Sequence, residues 1–423
     1  MKVLLGSPGC VHDAPFPEDG LLEEGRRRGR PGRGDGIGLG ALRLRLRAEA
    51  RDRWRSWTAL ALVAGLVWGG AIAALSGARR TETAYLRFLE DTRRFDVLVT
   101  NGSTPETINR QFDFDQVARL PEVAEAAPVS YYFPSGETPS GRRLATTDIT
   151  PFVGTDGRFG TELNRAHVLK GRLPQGEEEL AVTFLAAERF DIDVGDTMPL
   201  GLSGPRALAG AGIEMPPARP FRVVGVVAMQ GGFPPLSPSG SVPPLILLSP
   251  AFARSHPDAA EVLAVRLQGG RSDVAAFTGE LERLARGTQV VTLVEREQTS
   301  AVQRGLDVQA TVLRLLAAGL AAVALLLSGQ SLSRQSLLGS ADDGVLRALG
   351  LTLGQRCALG LARALLVGVG AAAVAVVTAV ALAPLTPVGV ARKAELHPGI
   401  ELNVAVLGAG AAAAVVLMLG AGA

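Results

Sequence analysis

The sequence predicts an α-helical membrane protein with four transmembrane helices and a large α+β extracytoplasmic domain between the first and second spans. Three observations carry that prediction. Apolar residues make up 47% of the 423 and collect into long uncharged blocks, while charged residues are only 20%. A helix needs about 20 apolar residues to cross a hydrocarbon core. Between the first two blocks lies a segment of ordinary domain size with charges, prolines and mixed periods. Arginines crowd one flank of the first block and thin out on the other. A mean hydropathy of +0.23 is too apolar for a disordered chain. A net charge of +2 gives no argument for a nucleic-acid partner.

The elements follow in chain order. Residues 1–40 are rich in Gly, Arg and Pro and predict a disordered extension. Gly36–Ala41 fits GxGxxA, but no strand precedes it, so a dinucleotide site is rejected. Arg33-Gly34-Asp35 is treated as a chance match. Residues 41–56 form a basic cytoplasmic segment carrying Arg43, Arg45, Arg47, Arg51, Arg53 and Arg55. The first span is 57–77; only Arg79 and Arg80 follow it closely, so the positive-inside bias puts the N-terminus in the cytoplasm. The second span is 308–328, with Arg314 near one end, where a long side chain snorkels to the interface. The third is 359–383, stopped by Pro384 and Pro387, and the fourth is 402–421. Alternation places the 329–357 loop inside and the 384–400 loop outside. Arg392 and Lys393 in the outer loop run mildly against that assignment. Gly360, Ala364 and Gly368, then Gly408 and Ala412, have the small-xxx-small spacing of packed membrane helices.

The extracytoplasmic domain spans 78–306. Residues 80–95 read as a helix continuing from the first span, and Asp96–Thr100 as a strand. A short helix at 113–120 precedes a strand at 123–133. Further strands are expected at 221–229, 245–248, 261–267 and 289–294. A helix at 272–286, with Ser272 as its cap, and a helix from 295 into the second span complete the α+β pattern. The Gly/Pro-rich stretches 201–220 and 230–244 read as surface loops.

No constellation for catalysis is evident. His167 and His256 lack partner spacing, and there is no HExxH, GxSxG or GxxxxGK[ST]. Glu177, Glu178 and Glu179 read as a solvated turn before a strand. Asp191, Asp193 and Asp196 lack the further oxygens and closing glutamate of a calcium loop. Cys10 and Cys357 form no disulfide framework or zinc spacing. No cofactor or metal is expected of the chain itself, and it is not read as an enzyme.

The 329–357 loop carries the sharpest signal. Ser340 can cap a short helix with Asp342 and Asp343 in its first turn, an apolar stripe of Val345, Leu346 and Leu349, and Gly350 to stop it. Such an amphipathic element either lies in the headgroup layer or docks a cytosolic partner. GVLRALGLTLGQ resembles the post-span motif of FtsX-like permeases, the MacB-type ABC transporter subunits. The matching positions are Leu346, Arg347, Ala348, Leu349, Gly350 and Gln355. The order of spans and domain resembles that family too, as does VLKGRLPQGEEELAV…FDIDVGD…FRVVGVV. The resemblance covers about residues 41–423. One departure is the family's acidic residue before the Leu-Arg pair, matched only loosely by Asp342 or Asp343.

The resemblance implies a MacB-like periplasmic core domain and a permease that hydrolyses no ATP itself. A separate cytoplasmic ABC ATPase would bind the nucleotide. It also implies a homodimer or a second permease module, contact with membrane lipids in the plasma (inner) membrane, and an extracytoplasmic partner not yet identified. Asp342, Asp343, Val345, Leu346, Arg347, Leu349 and Gly350 would form the coupling helix. Two activities stay open: export or lipid and lipoprotein handling by mechanical coupling, or non-transporting regulation of an envelope enzyme. Some relatives join two modules in one chain, so a complete module and half of a longer permease both remain open.

Overall fold

The computed structural model of the protein describes residues 39–100, 112–204, 216–234, 244–257, 259–285, 291–294, 296–348, 352–396, 399 and 404–422. The predicted 1–40 extension lies outside them apart from its last two residues, as does most of the two Gly/Pro-rich stretches.

Helix α1 runs from Leu39 to Asp91, 53 residues, with one interruption at Arg53 (φ −109°, ψ 15°). It fuses the predicted basic segment, first span and following helix, because no proline divides them. The chain then enters a mixed sheet. Its strands are β1 (Val97–Thr100), β2 (Val123–Tyr131), β3 (Phe133–Glu137), β4 (Arg143–Leu144), β5 (Thr150–Gly154) and β6 (His167–Gly171). They continue with β7 (Glu179–Thr183), β8 (Thr197–Ser203), β9 (Arg219–Ala228), β10 (Leu245–Leu248), β11 (Ala260–Leu267) and β12 (Val291–Val294). The order is β12-β1-β11-β2-β5-β10-β7-β9-β8-β3-β4, with β6 paired to β9. Strands β5/β10 and β7/β9 are parallel; the other pairs are antiparallel.

Only Tyr132 separates β2 from β3, yet five strands stand between them in the sheet. The sheet must therefore curl back on itself, and its concave side encloses the main core. Helices α2 (Phe114–Ala118) and α5 (Val274–Ala285) cover β1, β2 and β11 through Val117, Phe277 and Leu281. Two short helices, α3 (Phe184–Phe190) and α4 (Pro250–Ser255), follow β7 and β10; Ser249 caps α4 by accepting from the Phe252 N–H.

Helix α6 (Arg296–Ala348) returns to the apolar layer, again for 53 residues. Here the structure corrects an expectation. Ser340 does not start a separate helix, and 329–348 is not a loop: the backbone stays helical throughout. The stretch has no proline, and isolated glycines cost a helix only about 1 kcal/mol each. Helix α7 (Leu353–Leu382) ends in a 3-10 turn at Ala383–Leu385, as Pro384 requires. A short helix α8 (Val390–Lys393) and a last apolar helix α9 (Val404–Gly422) follow.

Among the described residues, three helices are long and apolar enough to cross a membrane: Leu46–Asp91, Thr299–Gln330 and Leu353–Leu385. The apolar run of α9, Val404–Gly420, is shorter. The apolar bundle is held by close backbone approach. A Cβ added at Gly65 would sit 2.6 Å from Val374 Cβ and 2.7 Å from the Ala371 carbonyl oxygen. At Gly69 it would sit 2.5 Å from Thr378 Cβ. The Gly65–Gly69 seam packs α1 on α7, the geometry small-xxx-small spacing permits. Of the residues singled out by spacing, Ala364 and Gly368 are buried. Gly408 meets open space, and α9 approaches α1 through Gly410 against Ile72 instead.

Ser272 sits in a 3-10 turn, Gly270–Ser272, so α5 begins two residues after the predicted cap. Strands β3 to β8 were not expected individually, apart from a strand after the acidic run. They are short, several hold glycine or proline, and they lack a clean period of two.

Candidate functional site: the stalk junction

Nothing in the described residues assembles a catalytic group. No cluster of three or more His, Cys, Asp or Glu side chains able to hold a metal occurs among them. The acidic run is structural: Arg172 Nη1 donates to Glu179 Oε2 at 2.8 Å, and the Gln175 and Gly176 N–H groups donate to the same oxygen at 2.9 and 3.0 Å. The guanidinium, with those backbone donors, lowers the Glu179 carboxyl to a pKa of about 2. Asp193 binds Lys170 Nζ at 3.1 Å, and its N–H is held by Asp196, closing a turn.

The unusual region is where the two long helices enter the α+β domain. Tyr85, Phe88 and Leu89 of α1 are fully buried in the main domain core, together with Val302 and Leu306 of α6. Ala391 of α8 and Ala394 just after it join the same cluster. Phe233, 1% exposed, is the hub. Its ring centroid lies 4.9 Å from Tyr85, 5.0 Å from Phe88 and 5.1 Å from Phe184. Such tilted and edge-on pairs add to the area they bury. The membrane helices are thus part of the domain core rather than tethers to it.

Polar groups lock the junction. Arg80 is 8% exposed; its Nε donates to Glu395 at 3.0 Å, and its Nη1 donates to the Gly399 and Thr386 carbonyls at 3.0 and 3.2 Å. Arg87 reaches the same Glu395 oxygen at 3.5 Å. Glu82 of α1 pairs with Arg314 of α6, so the arginine that interrupts the second apolar block is neutralised at its outer end. Gln303 of α6 donates to the Glu82 carbonyl at 2.8 Å. Lys393 pairs with Glu188 of α3 at 3.3 Å, which accounts for a basic residue in that loop.

The end of α1 is pinned separately. Gln230, 1% exposed, accepts from the Phe95 N–H at 3.0 Å and donates to the Phe95 carbonyl at 2.9 Å. Its own N–H goes to Asn164 Oδ1 at 3.1 Å. The Asn164 and Arg165 N–H groups in turn bind the Arg93 and Thr92 carbonyls at 2.9 and 2.7 Å. Arg93 pairs with Glu125 of β2.

At the other end, Arg363 of α7 pairs with Glu49 of α1 at 2.6 Å. Thr352 and Gln355 form a reciprocal capping box on α7, so the glutamine of the sequence motif has a helix-starting role here. The backbone places Asp342, Asp343, Val345, Leu346 and Arg347 in the last turns of α6, at the far end from the α+β domain. Leu349 and Gly350 lie outside the described residues. The junction residues Tyr85, Gln230, Phe233 and Glu395 gave no signal in the sequence, because their partners are far away along the chain. The Gly65–Gly69 pair has the small-xxx-small spacing, a signal in the sequence that the reading of the first span did not use.

With two apolar helices threaded into the core of an α+β domain, the comparison with known families becomes decisive. Residues 58–284, more than half of the chain, match the MacB-like periplasmic core domain. The chain belongs to that family. A comparison with curated proteins finds no match. The MacB-like match begins inside the apolar part of α1 and ends at the last turn of α5, so the family unit includes the stalk. This MacB-like chain is a membrane protein and a permease-type component of an ABC transporter, a family of transporter components rather than enzymes. Membership implies a cytoplasmic ABC ATPase as partner.

Proposed function

We propose that the chain is the permease subunit of an ABC transporter, converting ATP hydrolysis by a separate cytoplasmic ATPase into movement of an extracytoplasmic domain. It would lie in the plasma (inner) membrane with a cytoplasmic N-terminus and four spans, α9 being the fourth, and would work as a homodimer or with a second permease module. ATP would be bound by the partner subunit.

The observation that carries this reading is the continuity of α6. At 1.5 Å per residue its 53 residues reach about 80 Å, well beyond a hydrocarbon core of about 30 Å. One end holds Val302 and Leu306 in the domain core; the other holds the Asp342–Arg347 turns. A stiff helix carries a displacement from one end to the other. Leu346, Arg347 and Leu349 would form the ATPase contact, with Asp342, Asp343, Val345 and Gly350 shaping the same element.

Mechanical transmission is favoured over stable capture of an apolar cargo by the domain. Among the described residues of 78–306, only Leu86 on α1 and Val194 ahead of β8 are strongly exposed large apolar side chains. Replacing Leu346 and Leu349 together with Asp tests the partner contact. Loss of ATPase co-purification, with the permease still in the membrane, is expected. Unchanged co-purification and transport would overturn the assignment.

A further inference from the structure

Arginines recur every four residues before the first apolar block, at Arg43, Arg47, Arg51 and Arg55. On a helix that spacing lines them along one broad face. Arg47, Arg51 and Arg55 are exposed. Trp54 (54% exposed) and Leu44 (69%) are exposed with them, and the Arg55 guanidinium lies 5.7 Å from the Trp54 ring. The opposite face is occupied: Leu46, Glu49 and Ala50 are half-buried, and Glu49 is bound to Arg363.

Like charges four residues apart repel. Glu49 is already paired with Arg363, Asp52 beside Arg51 is exposed, and no ion pair to Arg47, Arg51 or Arg55 occurs among the described residues. Among the described residues, the stripe presents an excess of positive charge. The break in helical geometry at Arg53 falls between Arg51 and Arg55, just before Trp54 and Trp57, so the chain changes direction at the mouth of the apolar layer. Exposed apolar residues, an interfacial tryptophan and a row of arginines beside a span fit a surface of anionic lipid headgroups.

We propose that the Arg47–Arg51–Arg55 face with Trp54 is a binding surface for anionic phospholipid, lying along the headgroup layer and setting the orientation of α1. The proposal rests on 57–77 crossing the membrane and is independent of the ATPase contact.

The test uses the full chain with Trp57→Phe and Trp68→Phe, leaving Trp54 as reporter, in phosphatidylcholine vesicles containing phosphatidylglycerol. Quenching of Trp54 is compared when the bromine is carried by one lipid or by the other. Quenching by brominated phosphatidylglycerol should be about fivefold stronger at low salt and fall as salt rises. The Arg47→Gln, Arg51→Gln, Arg55→Gln triple variant should bring the two lipids to parity, and the corresponding triple Lys variant should restore the preference. Equal quenching in the parent, or a preference that survives the triple Gln change, overturns the proposal. So does a triple Gln variant that keeps its lipid preference but loses ATPase co-purification, which would make the stripe a protein contact. Labelling of Val194→Cys with an impermeant maleimide in intact cells reports separately on whether the span is crossed as assumed.

Discussion

Gln230 and Phe95 exchange two hydrogen bonds as though they were paired strand residues, with a side-chain amide standing in for one peptide. Phe95 follows α1 by four residues, and Gln230 follows β9 by two. The end of the stalk is therefore fixed to the sheet by a buried joint. Gln230→Ala leaves a buried N–H and C=O without partners, which costs about 1–3 kcal/mol for each group. Amide hydrogen exchange at Phe95 should speed up markedly, while exchange in α5, on the far face of the sheet, stays unchanged.

The Arg80–Glu395 pair predicts a second, sharper loss. Both side chains are nearly buried, at 7% and 9% exposure. Arg80→Ala leaves the carboxylate with only the longer Arg87 contact and takes the donor from two carbonyls, and should cost about 3–5 kcal/mol. A variant carrying Arg80→Met and Glu395→Leu together should recover most of that stability, since an apolar pair often replaces a buried ion pair without loss. Thermal unfolding of the two variants beside the parent checks the order.

Close approach of α1 and α7 predicts intolerance to size at Gly65. Its added Cβ would meet the Val374 side chain and the Ala371 carbonyl below 3.0 Å. Gly65→Leu should destabilise the bundle by about 1–3 kcal/mol or force the helices apart. Gly319, whose added Cβ meets nothing within 4 Å, should accept alanine without effect. Thermal melting in detergent reads the difference.

Glu179 gives the pH prediction. Its folded pKa, about 2, lies below the ordinary 4.5. A depressed carboxyl stabilises the fold above its unfolded value and loses that contribution as pH falls through its folded value. The Arg172–Glu179 contribution should be complete above about pH 4.5 and vanish towards pH 2. The gap in melting temperature between the parent and Glu179→Gln should hold steady from pH 7 to 5 and shrink below that.

Much of this architecture was legible in the sequence because its causes are local. Uncharged blocks marked the apolar helices, Pro384 ended α7, and valine-rich apolar runs marked β9 and β11. The continuation of α1 and α6 into the α+β domain was legible, but the helical run of α6 through 329–348 was not, since continuity past Ser340 depends on the absence of any strong stop rather than on a signal. The junction was illegible for another reason. Arg80 meets Glu395, and Tyr85 meets Phe233, across long stretches of chain, through packing that no local pattern encodes. The GVLRALGLTLGQ motif drew attention to the far end of α6; the junction at the other end emerged only from packing.

The central claim is that one rigid helix joins compartments on opposite sides of the membrane. Thiol accessibility tests it most directly. With Cys10 and Cys357 replaced by Ser, a single cysteine is placed at Val194 in the α+β domain or at Ala348, exposed at the end of α6. An impermeant maleimide should label Val194→Cys in intact cells and Ala348→Cys only after permeabilisation. Labelling of both positions from the same side would contradict the account.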